Sequence, residues 1–459
     1  MPEPTTSMPA SLEAPWPVCD LAQPEGQGAY GALLDRLRST TSLTGPEAQA
    51  VAEVVDDVRQ RGDAAVVDAM RRWTDPAFAA ADIVADEPQL AEAEARVDPA
   101  ILEAADRAIE NVREYQEHVL PSAVAEIERG GAMLGLRWTP VDSAGLCVPG
   151  GTAPLFSTLI MLAGPAMAAG VAADRLAPIH PPPTRRGEGP AGGVSPVVLA
   201  VAKRLGLSKL YRIGGAQGVA ALAYGTESVP QVDFIAGPGN VFVQLAKAMV
   251  AGACGTEGGF YGPSEVVVVA DATANPAWVA ADLLAQAEHD PGKCFLVAWD
   301  PGVIDAVGKE VARQLAQRGR SEAIVAALRN ESAAVLVSDE SQAAEVVNEL
   351  APEHLSLAVA EPEAWMERVR HAGEAFLGHA APVAVGDYWA GPSHCLPTGT
   401  TARFGSGVSV YTFLKRTGTV AYPQGFDPAA AAGAATLADC EGLDAHATSL
   451  RVRVESEDG

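Results

Sequence analysis

Four separated segments concentrate side chains able to hold a metal ion and move protons: Gln286 with His289, Glu353–His354, Asp387 through His394, and Glu441 with His446. The chain has eight histidines, and four of them fall in these segments, each near a carboxylate or amide in sequence. Imidazole, carboxylate and amide oxygen together make an N/O donor set suited to zinc or a similar divalent ion. An imidazole left free of the metal would supply a general base. The combination points to an enzyme.

Each segment also has a plainer explanation. Gln286 and His289 lie three apart on a predicted helix, Trp278–His289, and so project from one face of its last turn. A surface glutamine and a helix-terminal histidine favoured by the dipole would give the same pattern. Asp290-Pro291-Gly292 stops that helix and puts His289 at an element end. Pro352 ends the helix before Glu353–His354 and biases Ala351 to extended geometry. The pair is therefore expected at a helix-to-strand junction, its side chains on opposite sides, although an ordinary surface Glu–His pair reads alike. Gly386-Asp-Tyr388 and Gly391-Pro-Ser-His394 are glycine-punctuated and predicted as loop. Asp387 there is also a fit for a self-capping turn residue, and Glu441 with His446 for a solvated pair.

The surrounding elements read as α/β. Residues 28–130 have helical periodicity, with helices expected from Pro46 to about Arg61, after a cap at Asp63, and from Pro99 to about Leu120. From about residue 143 short apolar runs alternate with helices. Ala144–Val148, Leu210–Ile213 and Val232–Ala236 each lead into a Gly-rich loop and a helix, which predicts a parallel doubly wound sheet with ligands at its carboxyl ends. A second α/β series follows, with strands at Glu265–Ala270, Cys294–Trp299, Ala334–Ser338 and Leu355–Val359. Its helices are expected at Trp278–His289, Val303–Arg318, Glu340–Leu350 and Glu363–His371. The chain after Asp387 is loop-rich and ends on a short helix and a strand, Ser449–Glu455. The predicted fold is two Rossmann-like units with a helical N-terminal lead-in and a small C-terminal extension. The expected divisions are an extension over 1–27, a discontinuous first unit over 28–140 and 262–385, a nucleotide-binding unit over 141–261, and a dimer tail over 386–459.

Composition narrows the function classes. With 459 residues and 48% apolar content, the chain is long and apolar enough for several packed domains. The formal charge of −26 argues against nucleic acid or an anionic membrane as partner. The uncharged stretch Pro154–Ala173 approaches a bilayer span in length, but Gly164–Pro165 should break it into a buried helix pair. Six scattered cysteines without a C-x-x-C pair read as reduced thiols of a cytoplasmic protein, and the N-terminus lacks the pattern of a signal peptide. No G-x-G-x-x-G follows any strand, so Gly214-Gly-Ala-Gln217 and Gly237-Pro-Gly-Asn240 fit either an anionic ligand or plain tight turns. Lys293, Arg403, Lys415 and Arg416 lie near the candidate loops, as phosphate partners or as surface charge.

Taken together, the strings resemble histidinol dehydrogenase. The matching runs are Val148-Pro-Gly-Gly-Thr-Ala-Pro-Leu-Phe-Ser157, Gly214–Gln217, Gly237–Asn240, Gly262-Pro-Ser-Glu265, Ala285-Gln-Ala-Glu-His-Asp290 and Ala351-Pro-Glu-His-Leu-Ser356. They continue through Gly386–Tyr388, Leu396-Pro-Thr-Gly399, Thr401-Ala-Arg-Phe404, Ser406-Gly407 and the Glu441…His446 tail, spanning roughly residues 140–450 in the family's order. The resemblance implies one zinc ion per subunit held by Gln286, His289, Asp387 and His446. The last would come from the partner's tail in a homodimer. It implies Glu353 and His354 as the catalytic pair. Ser264, His394 and Glu441 would meet substrate alongside His354 and the metal ligands, and Cys147, Gln217 and Asn240 would lie at NAD. The implied reaction is a four-electron oxidation of L-histidinol to L-histidine through the aldehyde, with two NAD used in turn, in histidine biosynthesis.

The chain departs from the family pattern at four places. Cys147 stands where tyrosine is common, Gly258-Gly-Phe-Tyr261 precedes Gly262, Val383–Ala384 replaces a segment that often holds glutamate, and Ser393 replaces asparagine. These leave open a paralogue acting on another small alcohol, such as a sulfonated propanediol or an amino alcohol of secondary metabolism. A metal-binding protein without activity is the other alternative, against which the intact Glu353–His354 speaks.

Overall fold

The computed structural model describes residues 15–38, 45–122, 124–150, 154–183, 193–289, 292–317 and 321–455. Asp290 and Pro291 of the helix stop, Gly151–Ala153 of the first glycine loop, most of the proline-rich loop after His180, Arg318 and the extreme N-terminus lie outside them.

In chain order the strands are β1 (Val18–Asp20), β2 (Val84–Asp86), β3 (Val124–Arg129), β4 (Ala132–Pro140), β5 (Ala144–Cys147), β6 (Leu176–Ile179), β7 (Lys209–Tyr211) and β8 (Phe234–Ala236). They continue with β9 (Gly255–Thr256), β10 (Glu265–Ala270), β11 (Lys293–Ala298), β12 (Ala333–Leu336), β13 (His354–Ala358), β14 (Glu374–Leu377) and β15 (Leu414–Ala421). The larger of two compact units, residues 15–118 and 142–413 as described, contains two six-stranded sheets. The first has the order β1-β12-β11-β10-β13-β14 and is parallel throughout. The second has the order β2-β7-β6-β5-β8-β9, parallel except for the antiparallel β2–β7 pair. Buried apolar clusters cover both faces of the first sheet, as an all-parallel sheet requires. The α/β class and the doubly wound arrangement agree with the sequence reading.

Sheet membership divides the chain differently from the expected boundaries. β1 belongs to the first sheet, so residues 18–20 are not an extension. The helices Pro46–Arg61 and Asp63–Trp73 pack, with β2, on the second sheet rather than the first. Gly62, not Asp63, is the cap of the latter helix; Asp63 opens it and accepts from Ser228 Oγ at 2.5 Å. The smaller unit joins residues 119–141 to 414–455. Its sheet is antiparallel, β15-β4-β3. The helical periodicity read as far as residue 130 therefore stops at His118, and a hairpin turning at Gly130–Gly131 follows. The tail carries the helices Pro428–Cys440 and Asp444–Arg451, with no strand at 449–455.

One helix departs from expectation in a way that reaches the site. Phe156–Ala168 runs through Gly164–Pro165 without breaking. Proline at 165 cannot donate to the carbonyl four residues earlier, Met161. That orphaned carbonyl instead accepts from Ser393 Oγ at 2.8 Å, and both residues are buried. The missing helix bond thus anchors the segment beside His394. No helix among the described residues is long and apolar enough to cross a membrane.

Ser393→Ala should strand the Met161 carbonyl and cost about 1–3 kcal/mol in urea unfolding. Pro165→Ala in the same background supplies a helix N–H and is expected to recover part of that loss. Additive losses in the double variant would refute the link.

Candidate active site

The sequence order places Glu353–His354 just after a helix whose C-terminal residue, Ala351, is left-handed at φ 42° rather than extended. Non-glycine residues hold that geometry at a cost of about 1 kcal/mol or more. The turn feeds directly into β13, whose register with β10 pairs Val266 with His354. Glu353 thereby meets the residues before and at the start of β10. Its Oε2 accepts from Ser264 Oγ and from the Glu265 backbone N–H, both at 2.7 Å. His354 Nδ1 lies 3.1 Å from the Glu265 carbonyl and 3.4 Å from Glu353 Oε2, so the pair converges instead of pointing apart. Since a carbonyl only accepts, Nδ1 carries a proton in either charge state, and Nε2 is the nitrogen that gains or gives up the second. Nε2 is buried and has no partner.

The candidate ligands come from other elements of the same unit. Gln286 sits in the last turn of the helix Pro276–Ala287, begun by Asn275 as cap and Pro276 at its first position. It is buried, with Nε2 lacking a hydrogen-bond partner. His289 is not on the helix as expected; it lies two residues beyond, in a turn whose N–H donates to Gln286 O at 3.2 Å. Gly292 closes the turn, where a Cβ would overlap the Gln286 carbonyl. Asp387 occupies a short helix, Ala384–Tyr388, rather than loop. Its carboxylate is 3.5 Å from His394 Nδ1, which also meets the Asp387 carbonyl at 3.0 Å. His394 Nε2 lies 3.1 Å from Thr158 Oγ1. Burial alone would raise the Asp387 pKa, but the bond to His394 and the charges of His354, His394 and His289 hold it below the usual carboxylate range.

Glu374, on β14, was missed by the sequence reading. It pairs in register with His354, and a Cβ on Gly386 would lie 2.9 Å from its Oε2, which is buried without a partner. A single glutamate in the string Gly373-Glu-Ala-Phe-Leu377 carries no signal in sequence; the sheet register alone reveals it. Burial pushes its carboxyl up to about 7, with Asp387 and Glu353 adding to the effect and the histidines opposing it. Burial lowers His354, yet Glu353, then Asp387 and Glu374, push it up to about 9. Glu353, Glu374 and Asp387 around these imidazoles form an environment that calls for a cation. The carboxyl end of the Pro276–Ala287 helix adds its negative pole.

A separate cavity of about 500 Å³ lies in the second sheet's half of the unit. Gly214, Gly215, Gln217, Asn240, Pro181 and Trp73 are among its walls. Two helix N-termini face this region, those of Gly215–Tyr224 and Val241–Val250, the second capped by Asn240 Oδ1 to the N–H groups of Phe242 and Val243. Such ends suit phosphate. Gln217 is buried, its Nε2 3.4 Å from Met70 Sδ. Cys147 is buried at the end of β5, and burial pushes its thiol up to about 12. A larger open trough of about 870 Å³ along the helix Pro99–His118 is rimmed by the solvated pair Arg107–Glu110 and gathers no convergent groups. Glu441 and His446 belong to the smaller unit, where both are exposed.

The sequence profile of histidinol dehydrogenases matches residues 38–454. Histidinol dehydrogenase of Synechococcus sp. is 42% identical over 409 residues, 89% of this chain and 92% of its own. That of Pseudomonas aeruginosa is 42% identical over 431 residues, 93% of this chain and 96% of its own. The crystal structure of the Elizabethkingia anophelis enzyme superposes with a TM-score of 0.88 at 29% identity, covering 97% of this chain and 99% of that one. The chain belongs to the histidinol dehydrogenase family. Histidinol dehydrogenases use NAD and one zinc ion per subunit. Among the described residues no three His, Cys, Asp or Glu side chains gather into a metal-binding group by themselves. This family member instead offers an amide, an imidazole and a carboxylate. The orphaned buried atom Glu374 Oε2 and the carboxylate of Asp387 mark unfilled negative charge beside His354, whose Nε2 is also without a partner. The residues fit a cation.

The pH dependence of the metal-free protein follows. His354 at about 9 and Glu374 at about 7 both stand above their ordinary 6.5 and 4.5, so the folded state holds protons the unfolded chain releases. Their contribution to stability is complete below those ordinary values and lost as pH rises through 7 and then 9. Chelator-treated protein should melt at progressively lower temperature from pH 6.5 to 9, and His354→Asn should flatten the upper part. An unchanged slope in that variant would contradict the assignment.

Proposed function

We infer that this chain oxidises L-histidinol to L-histidine through L-histidinal, a four-electron change that consumes two NAD, as its family membership implies. The same membership favours this substrate over the other small alcohols considered for a paralogue. The observation that carries the residue assignment is the orientation of His354. Its Nδ1 is occupied by the Glu265 carbonyl, and its Nε2 is buried and free to accept a proton.

We propose that Gln286, His289 and Asp387 hold zinc together with the partner subunit's His446 in a homodimer. When bound, zinc supplies a fixed Lewis-acidic point for the substrate's imidazole and amine, and NAD supplies the hydride acceptor. The side chains do the rest. His354 Nε2 takes the carbinol proton in the first oxidation, and the Glu265 carbonyl holds the ring in the required tautomer. Ser264 Oγ and the Glu265 N–H fix Glu353 Oε2, leaving its other oxygen, which takes neither bond, to draw a proton from water as the aldehyde hydrates. His354 accepts again in the second oxidation. The field that pushes His354 up weakens once Asp387 shares its charge with a divalent cation, which returns the imidazole toward its basic form. His394, tied to the Asp387 carboxylate and carbonyl and to Thr158, would orient Asp387 and meet the substrate.

The cavity bounded by Gln217 and Asn240 would receive NAD, its phosphates on the two helix N-termini. Glu441 of the partner subunit would meet the substrate's ammonium group. All six cysteines are unpaired and five are buried, which supports a reducing compartment, the cytoplasm.

Incubation with L-histidinol, NAD and zinc is expected to yield L-histidine and two NADH per substrate consumed. His354→Asn should lower turnover by about 100-fold or more while zinc stays near one per subunit. No NADH from histidinol, with turnover of a diol instead, would replace the substrate; an unchanged rate in the variant would remove His354 from the mechanism.

A further inference from the structure

Away from the acid–base pair, Lys247 and Glu257 form an ion pair with side chains only 4% and 3% exposed. Taking two charges out of water is costly unless each finds further partners. Both find them on one residue. The Gly237 N–H donates to Glu257 Oε1 at 2.9 Å, and Lys247 Nζ donates to the Gly237 carbonyl at 2.8 Å. Gly237 is the first residue after β8 and sits at φ +119°, a conformation for glycine alone. A Cβ there would overlap the Cys147 carbonyl at the end of β5. The chain is therefore pressed against a neighbouring strand where neither of its backbone polar groups has a ladder partner. The ion pair satisfies both.

The grip extends along the loop. The Gly239 N–H donates to the Tyr261 carbonyl at 3.1 Å. Gln244, three residues before Lys247 on the helix Val241–Val250, holds the Tyr261 backbone twice: Nε2 to its carbonyl at 3.0 Å and Oε1 from its N–H at 3.2 Å. Lys247 Nζ stands 5.2 Å from the Tyr261 ring centroid. The inner face of one helix thus fixes Gly237–Asn240 from behind, while Asn240 and Phe242 present its front to the 500 Å³ cavity.

We propose that Lys247 and Glu257 are positioning residues for the dinucleotide: their ion pair locks the β8 turn in the shape that receives NAD. The proposal rests on the reading of that cavity as the NAD site. A well-packed apolar replacement of a buried ion pair is often neutral or stabilising where no other group depends on the pair. What an apolar pair lacks is the donor and acceptor that set the Gly237 backbone. A misplacement of about 1 Å at such a loop costs up to about 100-fold.

The test uses the full-length, zinc-loaded protein with three variants: Lys247→Met/Glu257→Leu, Glu257→Gln and Gln217→Ala. Glu257→Gln keeps an acceptor for the Gly237 N–H and guards against a double variant that fails to fold. Melting temperature, the Kd for NAD, and the KM values for NAD and L-histidinol are measured for each. The double variant is expected to melt below the wild type, because the Gly237 N–H and carbonyl lose their partners, with Kd and KM for NAD raised about tenfold or more and KM for histidinol and zinc content unchanged. Glu257→Gln should show a smaller shift of the same kind. A variant that loses thermal stability but binds NAD within twofold of wild type would overturn the proposal. If Gln217→Ala weakens NAD while the ion-pair variants do not, only the clamp fails. If none of the three affects NAD, the cavity reading fails and the clamp with it.

Discussion

The register between β10 and β13 is the constraint on which the reactive part of the molecule depends. With Val266 opposite His354, Ser264 and Glu265 are delivered to Glu353, and the Glu265 carbonyl to His354 Nδ1. A slip of one residue would turn every side chain of β13 to the other face and break all three contacts. The left-handed Ala351 sets where that strand begins, and burial of the strand on both faces holds it there. Strain at this turn is offset by a parallel sheet too well covered to shift.

The two sheets present different electrostatic surroundings at their loop-bearing ends. In the second sheet the Gly214 and Gly237 loops follow the carboxyl ends of β7 and β8, where helix N-termini and backbone N–H groups suit an anionic dinucleotide. In the first sheet the chemistry sits at the opposite end. Ser264, Glu353–His354 and the Gln286–His289 turn all lie at or just before the starts of β10, β13 and β11. No helix N-terminus is needed there, because the ligands are cationic and side-chain carboxylates supply the field. Charge explains the difference.

Much of this was legible in the sequence where local chemistry decides. Pro46 at a helix start, the Glu265–Ala270 apolar run and the Glu340–Leu350 helix have boundaries that agree with the structure. His289, His354 and Asp387 come from three sequence-remote places close enough for both imidazoles to act on the Asp387 carboxylate. Failures fall where tertiary context overrides local signal. Residues 124–140 contain charges and glycines that mask a hairpin, and Pro165 stays inside a helix because Ser393 takes its lost bond. Glu374 and the Lys247–Glu257 pair have no local signature, since only strand register and helix packing bring their partners near.

What unites these observations is a site whose own residues leave room and charge for one divalent cation beside a proton acceptor. Anomalous diffraction at the zinc edge, on crystals of the zinc-loaded protein, tests this most directly. One strong peak per subunit within bonding distance of Gln286, His289 and Asp387, with His354 Nε2 nearby but unligated, is the expected result. A peak bound elsewhere, or one ligated by His354 itself, would contradict the assignment of base and ligands.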